Sequence, residues 1–399
     1  MLRFDQRLHL PTLCEADFVH DIAYDHYGRR LAVCTSSLRI SVYSAPVTQG
    51  EEVDSTAEWI ETARMDRAHG APIWRLCWGH PEHGEPLASC SEDRTVAVWS
   101  DKSCVGVERR SLRTDGGSTT AGSISVEAAS GAGRTIPILT KRRTLQGEGP
   151  IVDVRFAPGP MGLKIAAVTA NGDARVFECN DALRLVDWGS EDLESNARPA
   201  ASTMQAAGNT TATADTEKPP APVLSSALDW MPVPFGGELA GDERPATLAV
   251  AGRGARLAIW TRSMKNRRWE SFASVEEAHP ASGGGVKDVA WCPNLCRAFE
   301  IVATCGEGAS LWRVDIAATD KSGRPATDRR QDGGERIKLQ HIKTLVNPWD
   351  KVGLVWRCSW NVCGTAIALG REGCEVSVWR SDASLDWHQE ADIDLTPCS

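Results

Sequence analysis

A histidine, a serine and an aspartate, the parts of a hydrolytic triad, stand close together at His69, Ser89 and Asp93. In such a triad the carboxylate orients the imidazole, and the imidazole takes the serine proton. Trp99, closing the same stretch, changes the reading, because an indole N–H can only donate. A hydroxyl that meets an indole N–H and an imidazole has its bonding spent on the fold. The four side chains therefore read as a structural tetrad: Asp93 holds His69, His69 holds Ser89, and Ser89 meets Trp99. Elsewhere the chain has no Gly-x-Ser-x-Gly elbow, no His-Glu-x-x-His and no Gly-Lys-Ser/Thr phosphate loop. Gly252-Arg253-Gly254 falls in a strand-to-strand turn and opens no helix. The reading is of a protein that is not an enzyme and carries no cofactor.

Metal chemistry is the other use of such residues. The 13 cysteines include no Cys-x-x-Cys, and the pairs Cys292/Cys296 and Cys358/Cys363 lack a second ligand pair nearby. Cys34, Cys77, Cys90, Cys305 and Cys358 sit inside apolar runs, where a reduced thiol packs as a small hydrophobe. No metal site is expected, and a reducing compartment is. The formal net charge of −9 comes without a basic stripe, which disfavours direct nucleic-acid binding. No apolar run approaches the roughly 18 residues of a membrane span.

The tetrad must be positioned by short strands. The stretch His69–Trp99 reads as Ile73–Trp78, Leu87–Ser91 and Thr95–Trp99, separated by Pro81, Gly84 and Pro86 and then by Glu92-Asp93-Arg94. A sheet of this size cannot bury both faces alone, so the chain should repeat it. Aligning the aromatics that end the first and third strands gives six copies: Tyr24/Tyr43, Trp78/Trp99, Phe156/Phe177, Trp230/Trp260, Trp291/Trp312 and Trp360/Trp379. Their internal spacings are 19, 21, 21, 30, 21 and 19. Unrelated strands would not hold such constancy. The 15 Trp, against 7 Phe and 3 Tyr, fit strands that end in Trp. The expected fold is all-β, one domain over 1–399, a WD-repeat β-propeller of six blades.

Fourth, outer strands are expected at Trp59–Met65, Ile136–Leu145 and Asp386–Leu395. The polar stretches 113–135 and 189–223 read as flexible low-complexity insertions. Two smaller insertions are expected at Val233–Arg244 and about 317–335. Residues 1–17, with Leu2, Phe4, Leu8 and Leu10, read as a lead able to add an edge strand. Strand alternation predicts Ile22, Tyr24, Leu76, Trp78, Val154, Phe156, Val289, Trp291 and Trp360 buried between blades. After Trp379 about 20 residues remain, enough for one outer strand and too few for a seventh blade.

Several segments carry a family likeness. They are His20-Asp21-Ile22 with Tyr27-Gly28-Arg29-Arg30, Ile73-Trp74-Arg75-Leu76-Cys77-Trp78 with His80-Pro81-Glu82-His83-Gly84, and Phe156-Ala157-Pro158 with Met161-Gly162-Leu163. In the second half they are Cys292-Pro293-Asn294-Leu295 with Arg297-Ala298-Phe299, and Val355-Trp356-Arg357-Cys358-Ser359-Trp360-Asn361. In colinear order over about 18–390, the chain resembles the Seh-type nucleoporins, close relatives of the Sec-type COPII coat propeller. That resemblance implies an open six-bladed propeller whose seventh blade comes in trans from an α-solenoid scaffold nucleoporin. It implies a scaffold in the Y-complex of the nuclear pore outer ring, with roles in nucleocytoplasmic transport and mRNA export. The family also serves the SEA/GATOR complex at the lysosomal or vacuolar surface. The gap would be lined by Val19, Ile22, Tyr24 and Val42 from copy one and by Val376, Val378 and Trp387 from copy six. Two alternatives stand beside it: a closed peptide-recognition adaptor such as a ubiquitin-ligase substrate receptor, and a COPII-type coat subunit.

Overall fold

The computed structural model describes residue 10 and residues 17–45, 59–100, 140–193, 226–233, 245–252, 256–263, 266–279, 284–295, 297–315, 339–346, 353–382 and 384–394. They form six four-stranded antiparallel sheets, each consecutive along the chain. Blade one is β1 (Val19–Tyr24), β2 (Arg30–Thr35), β3 (Ile40–Ser44) and β4 (Ile60–Met65). Blade two is β5 (Ile73–Trp78), β6 (Leu87–Ser91), β7 (Thr95–Ser100) and β8 (Thr140–Gln146). Blade three is β9 (Ile151–Phe156), β10 (Lys164–Thr169), β11 (Ala174–Cys179) and β12 (Trp188–Asp192). Blade four is β13 (Ala227–Trp230), β14 (Thr247–Gly252), β15 (Arg256–Arg262) and β16 (Trp269–Val275). Blade five is β17 (Asp288–Trp291), β18 (Glu300–Gly306), β19 (Gly308–Val314) and β20 (Leu339–Leu345). Blade six is β21 (Val355–Trp360), β22 (Ala366–Arg371), β23 (Glu375–Ser381) and β24 (Trp387–Asp394). The expected all-β, six-bladed propeller is therefore what the chain forms.

Turn chemistry sets the hairpins. Asn171-Gly172-Asp173 joins β10 to β11 with Gly172 at φ +86°, a conformation that favours glycine. In blade two the Asp93 carboxylate accepts the Thr95 N–H, and Ser91 Oγ accepts the Asp93 N–H, which ties the β6–β7 turn. Outer strands are the polar ones, as β12 (Trp-Gly-Ser-Glu-Asp) shows.

Alternation gives every blade one face of small residues and one of large. Ala88, Cys90, Val96 and Val98 of blade two pack on Val154, Phe156, Ile165 and Phe177 of blade three. The same small-on-large packing forms the clusters at the junctions of blades one and two, three and four, four and five, and five and six. At about 25 cal/mol per Å² of apolar surface, these five seams supply most of the drive to fold.

Several boundaries differ from the sequence reading. Trp188–Asp192 is a strand, so the second insertion cannot begin at 189; the outer strand is polar enough to pass for linker. The rest of that insertion from 194, and those at 113–135, 234–244 and 317–335, lie outside the described residues. The outer strand of blade four, Trp269–Val275, was not expected.

Candidate partner-binding gap

The tetrad closes as the residue types required. His69 Nδ1 lies 3.0 Å from Asp93 Oδ2, His69 Nε2 lies 2.7 Å from Ser89 Oγ, and Trp99 Nε1 donates to Ser89 Oγ at 2.8 Å. Burial lowers the His69 pKa against the pull of Asp93, so the ring favours its neutral form. Asp93 is pushed up by partial burial, but bonds from Thr95, Gly70 and His69 outweigh this and leave its pKa below the usual value. Ser89 is fully buried, so no substrate reaches its hydroxyl. Blade five holds a variant the sequence reading missed. His279 Nε2 lies 2.9 Å from Thr304 Oγ1, and Trp312 Nε1 donates to the same oxygen at 2.9 Å. Thr in place of Ser, and no Asp in the turn, hid it.

The first strands line the channel and are bonded blade to blade. Backbone N–H groups of Leu76, Leu228 and Cys358 donate to Asp21, Asp153 and Asp288 of the preceding blade at 2.8, 3.0 and 3.1 Å. At the alternate junctions the N–H groups of Phe156 and Trp291 donate to Cys77 Sγ and Asp229 Oδ2. Trp78, Trp230 and Trp360 give their indole N–H to the carbonyls of Ala23, Arg155 and Ala290. Trp78 and Trp360 are half-buried, whereas Leu76, Val154, Phe156, Val289 and Trp291 are buried as predicted.

Arg75 crosses the hub. From blade two it lies 3.5 Å from Asp153 of blade three and donates at 2.7 Å to Asp288 of blade five. Burial opposes its charge, but Asp153 and Asp288 outweigh that and raise its pKa. Burial also lifts Asp229 to about 6, with Arg155 pulling the other way.

Where blade six meets blade one the pattern changes. The residue before the first-strand aromatic pairs with an alanine of the second strand in all six blades: Ala32, Ala88, Ala166, Ala249, Ala303 and Ala368. The first five are 0% exposed under the following blade, while Ala368 is only partly buried. Ser359, at the position of the acceptors Cys77 and Asp229, is exposed. Across from it Ile22 and Tyr24, on the large-residue face of blade one, are 55% and 49% exposed. Their predicted burial between blades therefore fails, because among the described residues no blade packs over them.

Val19, Ile22 and Tyr24 thus stand exposed, and Val376 and Val378 are half-buried on the small-residue face of blade six. Two of the expected lining residues belong elsewhere. Val42, 2% exposed, pairs with Ala32 and packs toward blade two; Tyr43 is the residue of β3 on the gap side. Trp387, 2% exposed, packs on Trp360 with ring centroids 5.5 Å apart, on the blade-five side. Sequence reasoning missed Ala368 and Ser359; the sixfold alanine was the available signal. Among the described residues no helix is long and apolar enough to cross a membrane, and no cluster of His, Cys, Asp or Glu could hold a metal.

Comparison with known proteins agrees with this geometry. The WD domain, G-beta repeat model matches residues 61–100, which span β4 to β7. Nucleoporin SEH1 of Bos taurus is 27% identical over 377 residues, covering 93% of this chain and 84% of the relative. The Homo sapiens protein of the same name is 26% identical over 383 residues with the same coverage. Over most of its length this chain is similar to the SEH1 nucleoporins. Among solved structures, the Myceliophteria thermophila Cps50 (Swd1) β-propeller domain superposes with a TM-score of 0.54 at 11% identity, covering 94% of this chain and 86% of that one. A chain of the Mitotic Checkpoint Complex gives 0.51 at 12%, covering 92% and 76%. At such identities these two speak for the propeller fold alone.

Proposed function

We propose that this protein is a non-catalytic nucleoporin scaffold whose working surface is the gap between blades six and one. An α-solenoid partner fills that gap with a β-blade of its own, in the Y-complex of the nuclear pore outer ring. The observation that carries the reading is the sixfold alanine, sealed in five blades and only partly buried in the last. An apolar sheet face left open is a liability that a partner removes, with strand pairing and area burial supplying affinity. The likeness to SEH1 nucleoporins supports the nuclear pore as the assembly and nucleocytoplasmic transport, mRNA export included, as the process. By the same resemblance the chain takes part in a SEA/GATOR-type complex at the lysosomal or vacuolar surface.

The coat-subunit alternative differs only in partner. A substrate receptor would present an open channel mouth in a sealed ring, whereas here Arg75 spans the hub and the described residues form six blades. The test is to purify the tagged chain from its own cells and determine the structure of the complex by cryo-electron microscopy. A foreign sheet between blade six and blade one is the expected result. A native complex with the gap empty, or sealed wholly by this chain, would refute the reading.

A further inference from the structure

Three residues before the aromatic that ends each first strand, one register position recurs around the hub. Blades one to six place Asp21, Arg75, Asp153, Ala227, Asp288 and Arg357 there. The position looks toward the following blade, since Asp21, Asp153 and Asp288 each accept a backbone N–H from the next first strand.

Blades two and six carry arginine at this place, and their likeness goes further. Two residues on, each presents a group able to accept a hydrogen bond, Cys77 in blade two and Ser359 in blade six. Blade three answers blade two at both points. Its Asp153 lies 3.5 Å from Arg75 Nε, and its Phe156 N–H donates to Cys77 Sγ at 3.3 Å. An acid, and three residues later the N–H of a large apolar residue, thus make the inner contacts of that seam.

Blade six offers the same pair of groups on the side of the gap, where Arg357 and Ser359 are both exposed. Arg357 Nη1 donates to the neighbouring Trp356 carbonyl at 3.3 Å, while Asp21, Asp153 and Asp288 turn to Arg75. Among the described residues no carboxylate lies within ion-pair distance of Arg357. Loss of solvent in the hub and the charge of Arg75 hold its pKa below the usual arginine value, against the pull of Asp288, Asp153 and Asp21. Lys287 Nζ stands 5.1 Å over the adjoining Trp356 ring, so a second positive charge marks the same corner.

We infer that Arg357 reads charge in the gap: it pairs with an Asp or Glu on the innermost strand of the inserted segment, three residues before a large apolar residue whose N–H meets Ser359 Oγ. The inference rests on the open-ring reading above and adds the partner's chemistry to it. The seam between blade six and the newcomer then copies the seam between blades two and three. An inner strand that brings an apolar or basic residue to that place is rejected, because it leaves a desolvated guanidinium without a counter-charge.

The test takes the gap-filling subunit from the native complex and measures its binding to the full chain by biolayer interferometry, with the parent, Arg357→Gln and Arg357→Glu compared. Arg357→Glu should bind about tenfold more weakly or worse, and Arg357→Gln should lose less. The acid facing Arg357, located in the structure of that complex, is then changed to Arg in the partner; this partner should regain the Arg357→Glu chain and lose the parent. Unchanged affinity in the Arg357→Glu chain, or no regain on the reversal, overturns the inference. The isolated Arg357→Gln chain should melt within about 2 °C of the parent, since it loses no ion pair of its own. A larger drop means that the arginine serves the hub, and it overturns the inference as well. An inserted sheet with no Asp or Glu against Arg357 refutes this contact alone. An empty gap in the native complex refutes the open-ring reading and the contact with it.

Discussion

Ala303 and Ala368 hold the same place in blades five and six, one sealed and the other only partly buried, so one substitution made at both sites measures how far the ring is open. Leucine adds three carbons. At Ala303 they enter a cluster with Cys305, Leu311, Val355 and Leu369 that has no room for them. Overpacking of this kind costs about 1–3 kcal/mol. For a chain with this much ordered structure each kcal/mol lowers Tm by about 2–4 °C, so Ala303→Leu should melt roughly 2–12 °C below the parent. At Ala368 the side chain points into the gap, and the change should stay within about 0.5 kcal/mol. Thermal melts of the purified lone chain followed by tryptophan fluorescence give both values. Partner binding reverses the order: Ala368→Leu blocks insertion, and Ala303→Leu leaves it intact while the protein is folded. Equal destabilisation of the lone chain at the two sites would mean that blade six is already covered, and the reasoning would fail.

Ser89→Ala leaves the Trp99 indole and His69 Nε2 without their shared acceptor, which should cost about 2–3 kcal/mol in urea denaturation; Ser89→Thr should restore most of it, since Thr304 does that work in blade five. Gly364 has φ +64°, and a Cβ there would lie 2.1 Å from the Pro293 carbonyl oxygen, so Gly364→Ala should cost at least about 2 kcal/mol by the same measurement. Asp229, with its folded pKa lifted from 3.8 to about 6, adds stability that is fully present below pH 3.8 and lost as pH rises through 6. Relative to the parent, Asp229→Asn should therefore gain stability between pH 5 and pH 7.5, by about 1.4 kcal/mol; urea curves that shift in parallel at the two pH values would refute this. The lone chain should aggregate on concentration, and co-expression with the gap-filling partner should rescue it, as read by size-exclusion chromatography.

The six sheets were legible because the aromatics that end their first and third strands recur at nearly fixed spacing, a constraint imposed by packing each blade on the next. Faces were harder to read than strands. In β3, Val42 and Tyr43 are adjacent and both apolar, so neither residue type shows which points to the gap; only the pairing of Val42 with Ala32 decides it. Trp387 misled for a similar reason, since β24 carries a register shift opposite Val378 and Trp379 that turns its start toward blade five. Outer strands such as Trp188–Asp192 escaped because one side faces water and their composition then matches a linker. The proposed gap rests in sequence on a count of copies, but its sharpest marker, an alanine left only partly buried in the last blade, needs the neighbour's position as well as the residue's type.

A ring lacking one sector must still hold its curvature if the opening is to fit one blade. Two features of this chain act on that. The five seams repeat the same small-on-large packing, so each sets nearly the same angle between sheets. At the hub, Arg75 joins blade two to blades three and five by charge-assisted contacts that span the ring and do not follow its rim. Apolar seams alone are non-directional and would let the sectors breathe; a guanidinium with fixed donors is not so forgiving. The opening is thereby preorganised, which spares an incoming segment the cost of ordering its walls. On the proposed reading, that rigidity would make the exposed Ile22 and Tyr24 and the partly buried Ala368 a selective site, because a flexible rim with the same residues would close on itself or accept any apolar strand.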